Sequence, residues 1–125
     1  MNVSVFLKIK SVISIVFGLS MVLFYSFLMP IYGITLNLSG VMTTQWSGAT
    51  LTGIGLICWF ASKAESSDLF KGILLSLFIC DSIGFIASLI GQMGGVANTL
   101  GWSTVGLWLV LALGLGYYRF ISKEV

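Results

Sequence analysis

The sequence predicts an all-α integral membrane protein: a four-helix bundle, antiparallel and up-down, with both termini cytoplasmic. Three observations carry that expectation. The 125-residue chain is 58% hydrophobic and only 8% charged, with mean hydropathy +1.08. A soluble domain carries about 25% charged residues, so too little polar surface remains here to face water all round. The apolar residues gather into four stretches of the length a bilayer-crossing helix needs, about 20 residues. Finally, all six basic residues (Lys8, Lys10, Lys63, Lys71, Arg119, Lys123) fall at the N-terminus, in the middle loop or at the C-terminus. The positive-inside rule puts those three places in the cytoplasm, and four spans return the C-terminus to the starting side.

The first helix is expected over residues 8–30. Lys8 and Lys10 read as a basic head before the apolar run of residues 11–29. That run exceeds the apolar core of a secretory signal, about 7–15 residues, and no small-residue cleavage site follows, so it reads as a retained span. Pro30 ends or kinks it. Tyr32-Gly33, Asn37 and Ser39-Gly40 are turn and cap signals, with Asn37 or Ser39 capping a second helix over 39–62. Trp46 and Trp59 bracket that helix as aromatics at a membrane interface do. Residues 63–69 form the hydrophilic cytoplasmic loop, short enough to make the helices it joins antiparallel neighbours. Ser67 or Asp68 caps a third helix over 68–92. A Gly-rich, uncharged turn with Asn98 leads into the fourth helix, 98–120, anchored by Trp102 and Tyr118.

Asp81 stands near the middle of the third helix. A carboxylate there costs about 2.5–3.5 kcal/mol on insertion scales, so it needs a partner, a proton or a function. Every basic residue is counted with the cytoplasmic edge, which leaves hydroxyls as candidate partners: Tyr25, Thr52, Thr50 and Ser20 by estimated depth. Asp81, Tyr25, Thr52 and Ser88 form the candidate intramembrane polar site. One reading makes Asp81 a hydrogen-bonded lock between helices; the other makes it a proton- or cation-binding group.

Small residues recur at helical spacing in each span. Gly18, Gly48, Gly55, Gly84, Gly91 and Gly106 are the expected packing positions, because helices in lipid associate through close backbone approach rather than hydrophobic burial. Trp46-Ser47 and Trp102-Ser103 stand the same distance before Lys63 and Arg119. Two tandem helical hairpins would give that pattern, as parallel repeats do in some transporters.

The composition also excludes. Histidine is absent, which removes the usual haem and zinc ligand and the usual proton shuttle. A net charge of +2, with its basic residues at membrane edges, gives no footprint for nucleic acid. Cys58 and Cys80 lack Cys-x-x-Cys spacing and read as buried small hydrophobes. There is no nucleophile–base pair, metal cluster or phosphate loop, so no enzyme activity and no cofactor are expected. The first helix has no acid, unlike the small multidrug exporters, which rest on a glutamate there.

Several segments together carry a resemblance: Met29-Pro30-Ile31-Tyr32-Gly33-Ile34, Gly48-Ala49 leading to Gly53-Ile54-Gly55-Leu56, Trp59-Phe60-Ala61, and Asn98-Thr99-Leu100-Gly101-Trp102. The chain resembles the small four-helix bacterial membrane proteins grouped as domains of unknown function. That group often has a basic residue just before the Gly-Ala pair, where this chain has Gln45-Trp46-Ser47. The resemblance implies a four-helix bundle and no assigned activity.

The expectation is therefore a multi-pass protein of a prokaryotic cytoplasmic (inner) membrane, with the lipid bilayer as its solvent. Its expected role is structural or accessory, packing against copies of itself as a homo-oligomer or against a larger membrane partner. The alternative is a small oligomeric transporter or channel with Asp81 as its proton- or cation-binding carboxylate.

Overall fold

The computed structural model describes all 125 residues, and the chain is helical throughout, with no strand. Helix α1 spans Val3–Leu23. It starts earlier than residue 8 because Asn2 caps it, its side-chain oxygen accepting from the Val5 N–H at 2.9 Å. Lys8 and Lys10 are thus carried inside the helix. A break at Phe24 separates α1 from α2, Tyr25–Ile31. Pro30 lies in the last turn of α2 rather than at the break. Gly33, at φ +70°, then turns the chain, in the left-handed region glycine tolerates.

Helix α3 spans Leu38–Ala61 and is capped by Asn37, which accepts from the Gly40 N–H at 2.7 Å. Helix α4, Asp68–Met93, is capped by the Ser67 hydroxyl, which accepts from the Phe70 N–H at 3.1 Å. Helix α5, Gly101–Gly116, runs on into a π turn, Tyr117–Ile121. Three stretches are long and apolar enough to cross a membrane: Val3–Leu23, Asp68–Met93 and Gly101–Ile121. At 24 residues α3 is long enough for a span, about 36 Å at 1.5 Å per residue, but Thr, Ser, Gly and Gln45 dilute its hydropathy.

The helices pair as two hairpins, α1 with α3 and α4 with α5. The first seam is built on glycine. A Cβ at Gly48 would lie 2.5 Å from the Gly18 carbonyl oxygen, and one at Gly55 2.6 Å from Ile15 Cγ1. A Cβ at Gly18 would collide with Thr52 Oγ1. Backbones this close allow dispersion contacts that larger residues would prevent. In the second hairpin Gly84 carries the Trp108 ring, 2.6 Å from where a Cβ would stand. Gly91 and Gly106 are not seam residues: a Cβ on either meets nothing within 4 Å. Gly91 borders a cavity and Gly106 faces outward. Periodicity fixed the face of each, but no helix lies opposite. Gly114 instead packs across the hairpins, against Phe6.

Trp46, Trp59 and Trp102 are exposed, together with stripes such as Val12, Val16, Leu19 and Leu23 on α1 and Ile79, Ile83, Ile86 and Ile90 on α4. Tyr118 is not an exposed anchor. It is buried, on the same helical face as buried Leu111 and Leu115, and donates to the Met1 carbonyl at 2.6 Å. Tyr117 is the exposed member of the pair.

The hairpins touch at their two ends. At the terminal end, which holds both termini and the α3–α4 loop, Leu7, Cys58, Leu74, Leu77, Leu115 and Tyr118 belong to one buried cluster. At the turn end, Asn98 holds the α2–α3 turn: its side chain donates to the Ile31 carbonyl at 3.0 Å and its N–H to the Tyr32 carbonyl at 2.8 Å.

Candidate functional site

Asp81 does not pair with a hydroxyl. Its carboxylate is held by Lys10, whose Nζ donates to Oδ1 at 2.9 Å and to Oδ2 at 2.7 Å. The pair is almost completely buried, at 1% and 0% side-chain exposure. Along the helix axes Lys10 lies about 10 Å beyond Val3, and Asp81 about 20 Å beyond Asp68. Both therefore sit well inside helices of spanning length, and the bond ties α1 of one hairpin to α4 of the other. This corrects two expectations: Lys10 is not part of an edge-lying basic head, and Asp81 has a basic partner. The other five basic residues, Lys8, Lys63, Lys71, Arg119 and Lys123, lie nearer the terminal end.

The other predicted polar residues divide. Thr52 Oγ1 donates to the Gly48 carbonyl at 2.8 Å within its own helix and sits at the α1–α3 seam. Thr50 and Ser20 likewise donate to carbonyls one turn back, those of Trp46 and Val16. Tyr25 borders a small groove beside Pro30 and Gly33 at the turn end, away from Asp81. Ser88 lines the cavity that Lys10 also lines. The structure thus brings Ser88 and the Asp81 partner to one space and leaves Tyr25 and Thr52 elsewhere.

That space is a chamber of about 720 Å³ between the hairpins. It runs from Lys10 and Cys80, past Trp108 and Ser88, to Tyr32 and Val96 in the turns. Most of its lining is hydrophobic. It exists because the hairpins meet at the terminal cluster and at Asn98 and stay apart between, where Gly91 offers no side chain to fill the gap. No family model, characterised protein or solved structure matches this chain.

An isolated charge in low dielectric is costly, and a buried pair offsets that cost only with good geometry. The two-bond contact at 2.7–2.9 Å supplies it. Yet the pair is not saturated. An ammonium has three N–H donors, of which Asp81 takes two. The third has no partner in the chain, on a residue that borders the chamber. Cys58 and Cys80 are free thiols beside this region and form no disulfide.

Proposed function

We propose that this is a four-span integral membrane protein that binds a small hydrophobic molecule between its two hairpins. In this reading α3 is the remaining span, and both termini and the α3–α4 loop are cytoplasmic in a prokaryotic inner membrane. The five basic residues other than Lys10, all nearer the terminal end, support that orientation. The helix order and the Trp46 and Trp102 spacing support two parallel repeats, and repeat interfaces are where membrane carriers place their ligands.

The single observation behind the binding reading is the chamber. Its 720 Å³ falls in the range of small-molecule sites, about 300–1,000 Å³, which are mostly apolar with a few fixed polar groups. A purely structural or accessory bundle has less support. Its small-residue stripes are largely used inside the fold, at Gly18, Gly48, Gly55 and Gly84, which leaves less of them for an outside partner. A cation site at Asp81 is also weaker, since the Lys10 ammonium already occupies that carboxylate.

The test is native mass spectrometry of the full chain in lipid nanodiscs. The wild type is expected to carry a stoichiometric small hydrophobic molecule. Ser88→Phe, which fills the chamber from its lining, is expected to lose it while remaining helical by circular dichroism. Equal adducts on both proteins would place the molecule outside the chamber and sink the reading. Reporter tags on the two termini test the topology; ends on opposite sides would rule out four spans.

A further inference from the structure

We infer that the chamber selects a hydrophobic molecule with one anionic head group, a carboxylate, held by Lys10. The inference rests on the binding reading above and names the ligand class. Four observations carry it. Lys10 borders the chamber, whereas Asp81 is fully buried and is not part of the lining, so Lys10 is the member of the pair that the chamber meets. No other charged residue lines it, so its only formal charge is that ammonium. Lys10 is almost completely buried, at 1% exposure, and one of its N–H donors has no partner. Ser14, one helical turn from Lys10 on the same face, also lines the chamber and adds a hydroxyl donor beside it. The rest of the lining suits an apolar tail.

A buried ammonium with a spare donor favours an acceptor, and most of all a charged one, because charge-assisted bonds are roughly twice as strong as neutral ones. An amine head would instead meet like charge. A neutral alcohol would gain the apolar contacts and one ordinary hydrogen bond.

Three probes of one chain length separate these cases: dodecanoate, dodecanol and dodecylammonium, titrated into nanodiscs of zwitterionic lipid and read by the change in Trp108 emission. A Trp46→Phe/Trp59→Phe/Trp102→Phe background leaves Trp108 as the sole tryptophan, with Trp46, which also lines the chamber, replaced by a smaller aromatic ring. Dodecanoate is expected to bind about tenfold or more tighter than dodecanol, the size of a hydrogen bond to a charged group. Asp81→Asn, which leaves the ammonium free of its carboxylate, is expected to keep or strengthen dodecanoate binding. Lys10→Met/Asp81→Asn removes both charges, so it can fold where a single variant does not, and is expected to erase the preference. Equal binding of dodecanoate and dodecanol, or a preference for dodecylammonium, overturns the anion inference and leaves the chamber reading standing. A preference that survives in the double variant overturns it too. Failure of all three probes to bind overturns both.

Discussion

The two ends of the molecule are fastened by different physics. At the terminal end the hairpins share a buried apolar cluster and the Tyr118 bond to Met1, with the buried Lys10–Asp81 ion pair a few turns deeper. At the turn end they share hydrogen bonds centred on one exposed residue, Asn98, and α2 buries no residue at all. Burying apolar atoms and desolvating a matched pair resists opening far more than exposed hydrogen bonds do, since water can replace the latter. The chamber lies between these fasteners and reaches the turns at Tyr32 and Val96. The difference teaches that the turn end is the softer of the two, where local opening costs least.

The comparison breaks first at the ion pair. Lys10→Met leaves Asp81 buried without a partner, and the expected loss is about 3–5 kcal/mol of unfolding free energy. Lys10→Met/Asp81→Asn should recover most of that, because replacing both charges is often neutral. Reversible unfolding in mixed micelles, followed by circular dichroism, measures both. If the double variant is no more stable than the single, the pair is not what fastens the terminal end.

This pair also marks the limit of what the sequence made legible. The helical, apolar character of the chain followed from composition, and Asp81 stood out as the one carboxylate deep in an apolar run. Its partner did not, because Lys10 was grouped with Lys8 by proximity in the chain. Helical phase separates them: Lys10 shares a face with Leu7 and Ser14, both buried, while Lys8 is exposed on the other side. The chamber was not legible, since it depends on the distance between hairpins and no local pattern encodes that. Gly91 and Gly106 failed for the same reason, as spacing names a face and not what stands opposite. Tyr118 reads as an interface anchor from its aromatic character at a helix end, whereas its spacing from Leu111 and Leu115 puts it on the buried face.

A smaller effect sharpens the seam between the hairpin helices. Gly48→Leu puts atoms where the Gly18 carbonyl lies 2.5 Å away, and overpacking of this kind costs about 1–3 kcal/mol. Gly106→Ala meets open space, and removing a helix-interior glycine should leave stability unchanged or raise it by up to about 1 kcal/mol. The same micelle unfolding assay ranks them. A Gly106→Ala cost as large as that of Gly48→Leu would mean the outward face of α5 is packed against a second copy.

The smallest expected effect lies at the turn end. Asn98→Ala removes the side-chain bond to the Ile31 carbonyl and the contact that Asn98 makes over Gly33, while its backbone bond to Tyr32 remains. A hydrogen bond with exposed partners contributes about 0.5–1.5 kcal/mol at most, so the global unfolding midpoint should barely move. Amide hydrogen exchange should instead quicken locally, over residues 32–37 and 94–100, with α1 and α4 unchanged near Lys10 and Asp81. If Asn98→Ala lowers global stability as much as Lys10→Met does, the two ends are equal fasteners and the turns are not the softer side. If exchange quickens only at the turns, the asymmetry holds, and the turn end is the softer of the two.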